Sequence, residues 1–404
     1  MRIGSVLAVG VVLAASFAAG AEKSRAEAAA DADPLAAWRS GVKVQPVAAA
    51  PDRHSIHTYY LASPESPDGR NVLYYTSATP EGHSGDIRML ERATGRETIL
   101  ARNVTTEDAH RAACQQWVSG GRRVVFHDVR DGVWVVACVD VATQAERVLA
   151  RGRQLAFGQP GGDLVPIYGP HWKPEDHKDL ELLNVATGDI RTVVTAAAVK
   201  EKYHDLLARE FGDREISIFF PVFSPDAKRV FFKLATPLGG DFRSKQASDR
   251  RMMVVYDLER SRLLLGRSRW GHPAWHPDSR HILETGHELV DTNDGATRRL
   301  PDLPKFPGSH PSVSPDGRLF VTDTTLERFG GTSKEWGVAV GSMEGGQYVI
   351  VHRFDDSRGA KSWRRTNPHP IFSADGRRLY FNVGEAARTR LHVAEAADVA
   401  AGAK

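Results

Sequence analysis

Histidine is the residue whose placement in this chain suggests chemistry. Three of the 16 histidines stand in proline-bounded phrases of one kind: Gly271-His272-Pro273, Ser309-His310-Pro311 and Pro368-His369-Pro370. Each phrase comes just ahead of a recurring turn, at the same place relative to it. Proline on either side keeps such a backbone extended. Imidazole at neutral pH serves both as a metal ligand and as an acid or base, so three converging rings would suit a metal site or proton transfer. The plainer alternative is that polar side chains here only hydrogen-bond the backbone at strand starts. Further titratable candidates lie earlier in the chain at His110, His127 and Tyr203, and the basic pair Arg250-Arg251 opens an apolar run, Met252-Met-Val-Val-Tyr256.

The elements that must position these residues are announced by the turn itself, which occurs seven times. Four examples are Ser66-Pro-Asp-Gly-Arg70, Ser224-Pro-Asp-Ala-Lys228, Ser314-Pro-Asp-Gly-Arg318 and Ser373-Ala-Asp-Gly-Arg377, and variants begin at Ser119, Gln159 and His276. Proline presets one turn dihedral, Asp bonds its own backbone and Gly takes the left-handed place, so the phrase closes a hairpin. An apolar strand follows each one. Most units add a third and a fourth strand within roughly forty to fifty residues, which is the signature of a β-propeller blade. The sequence therefore predicts an all-β, seven-bladed β-propeller from about His54 to Glu395, closed by pairing residues 57–61 with residues 390–394. One helix is expected near residues 196–211, inside an insertion before the fourth blade.

Residues 1–21 read as a secretory leader with a short apolar run and an Ala-Gly-Ala cleavage site. An Ala-rich flexible spacer is expected over residues 22–50, and the propeller over residues 51–398. The net charge of +3 falls by one with Arg2 on removal of the leader, too little to argue for nucleic acid. The expectation is a periplasmic or secreted protein with no membrane span after cleavage, a monomer or small homo-oligomer. Its two cysteines, Cys114 and Cys138, both fall in the second blade; a bridge is possible, but two buried thiols suffice for a domain of this size.

From about residue 219 to 393, the phrases Gly271-His-Pro-Ala-Trp275, Ser309-His-Pro311, Asn367-Pro-His-Pro370 and Phe372-Ser-Ala-Asp-Gly376 resemble the oligogalacturonate lyases. That family is a seven-bladed propeller which cleaves pectic oligosaccharides by β-elimination with bound manganese. The earlier blades, with His110, Gln115-Gln-Trp117 and Tyr168-Gly-Pro-His-Trp172, are more similar to ulvan lyase-like propellers, which act on another uronate polymer. The resemblance implies a carbohydrate lyase with an anionic oligo- or polysaccharide substrate. It implies Arg251 as the catalytic arginine, with Arg250 beside it, and His272, His110, His127 and Tyr203 as candidate acids and bases. It further implies metal ligands at His310 and His369. Here the family's first histidine of the His-Pro-His-Pro run is replaced by Asn367, and its glutamine ligand by Arg364. Two imidazoles and an Asn367 carbonyl remain for a divalent metal, while a permanently charged Arg364 opposes one and could neutralise a substrate carboxylate itself. Trp363, next to Arg364, and Trp172, Trp270 and Trp336 are candidates to stack on a sugar; Trp275 reads as core.

A non-catalytic reading belongs beside this one, since TolB-like propellers that bind a protein or glycan partner carry the same Ser-Pro-Asp-Gly phrases. A serine peptidase is disfavoured, because Gly82-His-Ser-Gly85 lacks the final glycine of a nucleophile elbow and no α/β domain is left over.

Overall fold

The computed structural model describes residues 33–398 except 49–51, 245, 270, 309, 356–366 and 386. Among these, seven four-stranded antiparallel sheets form the seven-bladed β-propeller. The turn phrase does in space what its residues dictate. In four turns the serine hydroxyl donates to the carboxylate two residues on, Ser66–Asp68, Ser224–Asp226, Ser314–Asp316 and Ser373–Asp375, each at 2.6 Å. Gly69, Gly317 and Gly376 take the left-handed position at φ 70–73°, and Ala227 accepts it at 57°.

Blade 1 runs from β2 (His54–Ile56) through β3 (Asn71–Ser77) and β4 (Ser84–Glu91) to β5 (Glu97–Thr105), from the channel outwards. Blade 4 repeats the order with β14 (Ser217–Phe223), β15 (Arg229–Pro237), β16 (Ser248–Asp257) and β17 (Arg262–Arg267). The inner strands of blades 5, 6 and 7 are the two-residue segments β18 (Ala274–Trp275), β22 (Ser312–Val313) and β26 (Ile371–Phe372). Apolar side chains alternate between the two faces of each blade and pack between neighbours: Phe231 and Ile282, for example, share one cluster with Trp275.

Ring closure differs from the sequence expectation. The fourth strand of blade 7 is β1 (Lys43–Pro46), paired with β28 (Arg388–Glu395) in the register Lys43↔Glu395 to Pro46↔His392. Residues 57–61 do not close the ring, and residues 34–48 are not spacer. A short helix, α1 (Ala36–Arg39), buries Trp38 edge-on to Phe372 at 6.1 Å, which gives this stretch apolar burial of its own. The residues of the expected leader lie outside those described. The expected helix is two, α2 (Ala196–Lys202) and α3 (His204–Phe211), broken at Tyr203 and packed through Val199, Leu207 and Phe211 on the outer side of blade 4. Cys114 and Cys138 are separate buried thiols, with burial pushing Cys114 up to about 12 and Cys138 to about 11.

Blades 7 and 1 are riveted by one carboxylate. Glu65, almost fully buried, receives Arg378 through two hydrogen bonds at 2.7 and 2.8 Å and the hydroxyl of Tyr380. Removing one partner of a buried, doubly bonded pair leaves a charge stranded, at a cost of about 3 kcal/mol. Glu65→Ala should therefore lower the denaturant midpoint by a corresponding amount with the slope unchanged, and a midpoint within experimental error of the parent would show that the seam does not depend on this ion pair.

Candidate functional site

The register set by the turn places chemistry at two positions. Four residues before the phrase begins, just ahead of the inner strand, stand His272, His310 and His369, and in blade 4, within β14, Phe220. Nine residues after its start stand Asp323, Asn382 and Lys233, on the second strand, and Thr285, just past the end of its own. Each of these residues grips backbone at the start of an inner strand. Asp323 accepts the His310 N–H at 3.2 Å and faces its Nδ1 at 2.7 Å. Thr285 accepts the His272 N–H at 3.3 Å, and Asn382 donates to the Asn367 carbonyl at 3.3 Å. With Nδ1–H donated to Asp323, the Nε2 of His310 is turned to the centre, an arrangement that fixes the tautomer of a metal-ligating imidazole.

The rings meet in the channel. Centroids of His310 and His369 lie 4.3 Å apart, and those of His272 and His310 4.6 Å apart. His110 joins them from the loop between β5 and the inner strand of blade 2, β6 (Gln116–Val118), with its ring 4.8 Å from that of His369. Its loop is pinned where the His110 N–H donates to Asp108 at 2.7 Å. The ligand atoms of His110, His310 and His369 all fall within 4.8 Å of one another. The buried Nε2 of His310 and both ring nitrogens of His369 have no hydrogen-bond partner among the described residues. Such orphaned acceptors in a buried cluster fit a small divalent cation, and the three imidazoles could hold one. His369 sits at φ 48° and Phe220 at φ 56°, strained conformations for residues with a Cβ and worth about 1–3 kcal/mol each.

An aromatic floor closes the channel beneath these rings. Tyr59 lies 4.6 Å from His369 and 5.8 Å from Phe220, and Tyr60 packs against it and donates its hydroxyl to the Pro273 carbonyl. Towards the turn phrases the channel opens again into a cavity of about 220 Å³ lined by Tyr60, Trp117, Trp275 and Phe372, with no histidine on its wall. On the histidine side, burial and neighbouring imidazoles push His369 well below the usual range; burial does the same for His272, reinforced by His310 and the Lys233 ammonium. Cations gather around the floor of blade 4: Arg111 lies 5.4 Å and Lys233 5.6 Å over Phe220, and Arg250 5.9 Å over Phe219. Arg111 is paired with Glu107 and Tyr168. Burial brings the Lys233 amine down to about 7, against the pull of the nearby Glu284 carboxyl.

Several sequence candidates fall elsewhere. Arg251 is exposed and pairs with Asp249 at 3.1 Å and with Glu210 of α3 at 3.4 Å, so it faces the outer helices. Side chains alternate along a strand, and the inward cation is therefore Arg250. Tyr203 joins α2 to α3 and packs against Gly266 on the outermost strand of blade 4, remote from the channel. His127 lies inside blade 2 against Trp134 at 5.2 Å, and burial drops it to about 3. The main-chain carbonyl of Asn367 accepts from Asn382, and the third imidazole of the cluster comes from His110. Trp363, Arg364 and Trp270 lie outside the described residues. Trp172 stacks on Phe242 at 5.2 Å, in the blade 4 hairpin whose Arg243 reaches the Thr106 carbonyl at 3.4 Å. Tyr59, Tyr60, Lys233, Asp323 and Glu284 were not anticipated as site residues. The signal for Lys233 and Asp323 was their common offset from the turn.

No family model matches this sequence, and no curated protein matches it. Solved oligogalacturonate lyases share its fold. An oligogalacturonate lyase in complex with manganese aligns with a TM-score of 0.61 at 17% identity, over 89% of this chain and 94% of that one. The oligogalacturonate lyase of Vibrio parahaemolyticus aligns at 0.60 and 14% identity, over 88% and 95%. TolB from Acinetobacter baumannii aligns at 0.41 and 12% identity, over 82% of each chain.

The electrostatics of Lys233 can be measured directly. By NMR its side-chain amine should titrate near 7, and Glu284→Gln should move that midpoint lower, since the carboxylate opposes the effect of burial. A midpoint near that of an exposed lysine would mean that Lys233 is solvated.

Proposed function

We propose that this protein is an exported carbohydrate lyase that cleaves uronic-acid-containing oligo- or polysaccharides by β-elimination in the histidine-lined half of the propeller channel. The observation that carries the reading is the convergence of His110, His310 and His369 beside His272, in the fold that oligogalacturonate lyase also has. The leader-like residues 1–21 support export.

The proton on C5 of a uronate is too weakly acidic to leave unless charge on the adjacent carboxylate is countered. A divalent ion such as manganese, held by His110, His310 and His369, would supply positive charge there when bound. Arg250 supplies a permanent one, on the channel side of its strand. His272 is held neutral by burial, so a ring nitrogen is free of a proton at neutral pH and can accept the one from C5. As that C–H bond breaks, its electrons form the C4–C5 double bond. The C4–O bond breaks with them, and the departing oxygen takes a proton from water. The floor of Tyr59 and Tyr60 excludes solvent from below.

Incubation with pectic, ulvan and glycosaminoglycan substrates should yield ultraviolet absorbance of an unsaturated uronate with at least one of them. Arg250→Ala should reduce that rate on the order of a hundredfold, whereas Arg251→Ala should leave it near the parent's. Binding to glycan with no product from any uronate polymer would favour the non-catalytic propeller instead.

Manganese offers a separate check. At a hundredfold excess over Kd, a ligand that binds only the folded state adds about 2.7 kcal/mol, so the parent should melt higher with manganese and hold one ion per chain. His110→Ala should abolish both effects. A parent without bound ion and without a shift would leave the charge on the carboxylate to Arg250 and the neighbouring cations of blade 4.

A further inference from the structure

We propose that Lys233 is a positioning residue for His272, reaching from blade 4 into blade 5 to hold by its carbonyl the same peptide group that Thr285 holds by its N–H. The Nζ of Lys233 donates to the Gly271 carbonyl, and the His272 N–H donates to the Thr285 hydroxyl. Carbonyl 271 and amide 272 belong to one peptide plane, so two side chains from two blades fix it at both ends. A third group completes the clamp. A Cβ built on Gly271 would lie 2.1 Å from Oε2 of Glu284, so the carboxyl fills the space that any other residue at 271 would need.

The register explains why this lysine is available. Asp323, Thr285 and Asn382, at the equivalent place, bond the inner strand of their own blade. Blade 4 carries Phe220 where the others carry histidine, so it has no imidazole of its own to steady. The ammonium instead crosses over the face of Phe220, which the left-handed backbone at φ 56° turns beneath it. Stability alone does not call for this arrangement. Lys233 and Glu284 are both fully buried, and neither carboxylate oxygen of Glu284 has a hydrogen-bond partner among the described residues. An apolar pair of like volume would serve a blade interface as well or better. What a polar clamp adds is orientation, and His272 is the one ring of the three that stands partly open, 4.6 Å from His310, with no carboxylate of its own to hold it.

In its catalytic consequence the inference rests on the elimination reading; the clamp itself does not. Lys233→Met should lower kcat roughly tenfold to a hundredfold, the scale of a misplaced catalytic group, while KM and the manganese-dependent melting shift stay near the parent's. Lys233→Arg should restore part of the rate. Should Lys233→Met fold poorly, the double variant Lys233→Met/Glu284→Met relieves the stranded carboxyl, and it should regain the melting temperature but not the turnover. Full turnover in either methionine variant would overturn the proposal. If the parent cleaves no uronate polymer, the lyase reading fails, and the clamp is judged from the NMR signals of the His272 ring. These should shift in Lys233→Met while those of His369 do not, and an unmoved His272 signal would refute it.

Discussion

The centre of this protein depends on a hydrogen bond at its edge, the 2.6 Å contact from a turn serine to the carboxylate two residues later. That bond fixes where each hairpin reverses, and in a sheet a slip of one residue turns every side chain to the opposite face. With the reversal fixed, the residue four before the phrase and the residue nine after its start come to lie side by side at the channel. Asp323 meets His310 for this reason, and in blade 5, where His276 stands in place of the serine and accepts the Asp278 N–H, Thr285 meets the amide of His272 at the same offsets. His272, His310 and His369 converge because the turns of blades 5, 6 and 7 agree, and His110 joins them from a loop.

Blades 5, 6 and 7 contribute histidine at the inner position, and blade 4 contributes Phe220, with Arg111 and Lys233 over its ring and Arg250 over that of neighbouring Phe219. The channel is accordingly split by charge as well as by blade. The imidazoles occupy one side, those of His272 and His369 kept neutral by burial, and guanidinium and ammonium groups over aromatic faces occupy the other. On the reading proposed above, a carboxylate-bearing sugar entering between them would meet proton acceptors on one flank and positive charge on the opposite one. The strain at Phe220 and His369 lies on this boundary, where backbone in an unfavourable region holds a side chain that an ordinary strand would direct elsewhere.

Much of the architecture was legible because each blade announces itself with its own turn. The parts that were not legible have physical reasons. Lys43-Val-Gln-Pro46 carries a single strongly apolar residue, and its strand exists because the edge of β28 waits for it, a tertiary cause invisible in local pattern. The helix was expected whole, but Tyr203 at φ −117° divides it and occupies the outer rim of blade 4. Arg250 and Arg251 are neighbours of one type, and alternation alone does not say which faces in; the slip in pairing between Phe232 and Leu234 intervenes. His110 comes from a loop without a repeat position, so its arrival beside His310 and His369 could not be counted from a turn.

The closing strand has a consequence for how the molecule is made. Lys43–Pro46 leaves the ribosome among the first residues of the domain, yet its partner Arg388–Glu395 is nearly the last. For the whole of synthesis the earliest strand has nothing to pair with, and the ring stays an open arc. Only when the seventh blade exists can the two ends of the chain find each other, across a loop of more than 340 residues whose closure entropy grows just logarithmically with length. Closure is thus a late event, and pairing of strands so distant in sequence is intrinsically slow. A chain truncated anywhere before β28 would keep a bare sheet edge at one end and a short homeless strand at the other, the condition under which an arc seeks a second copy of itself.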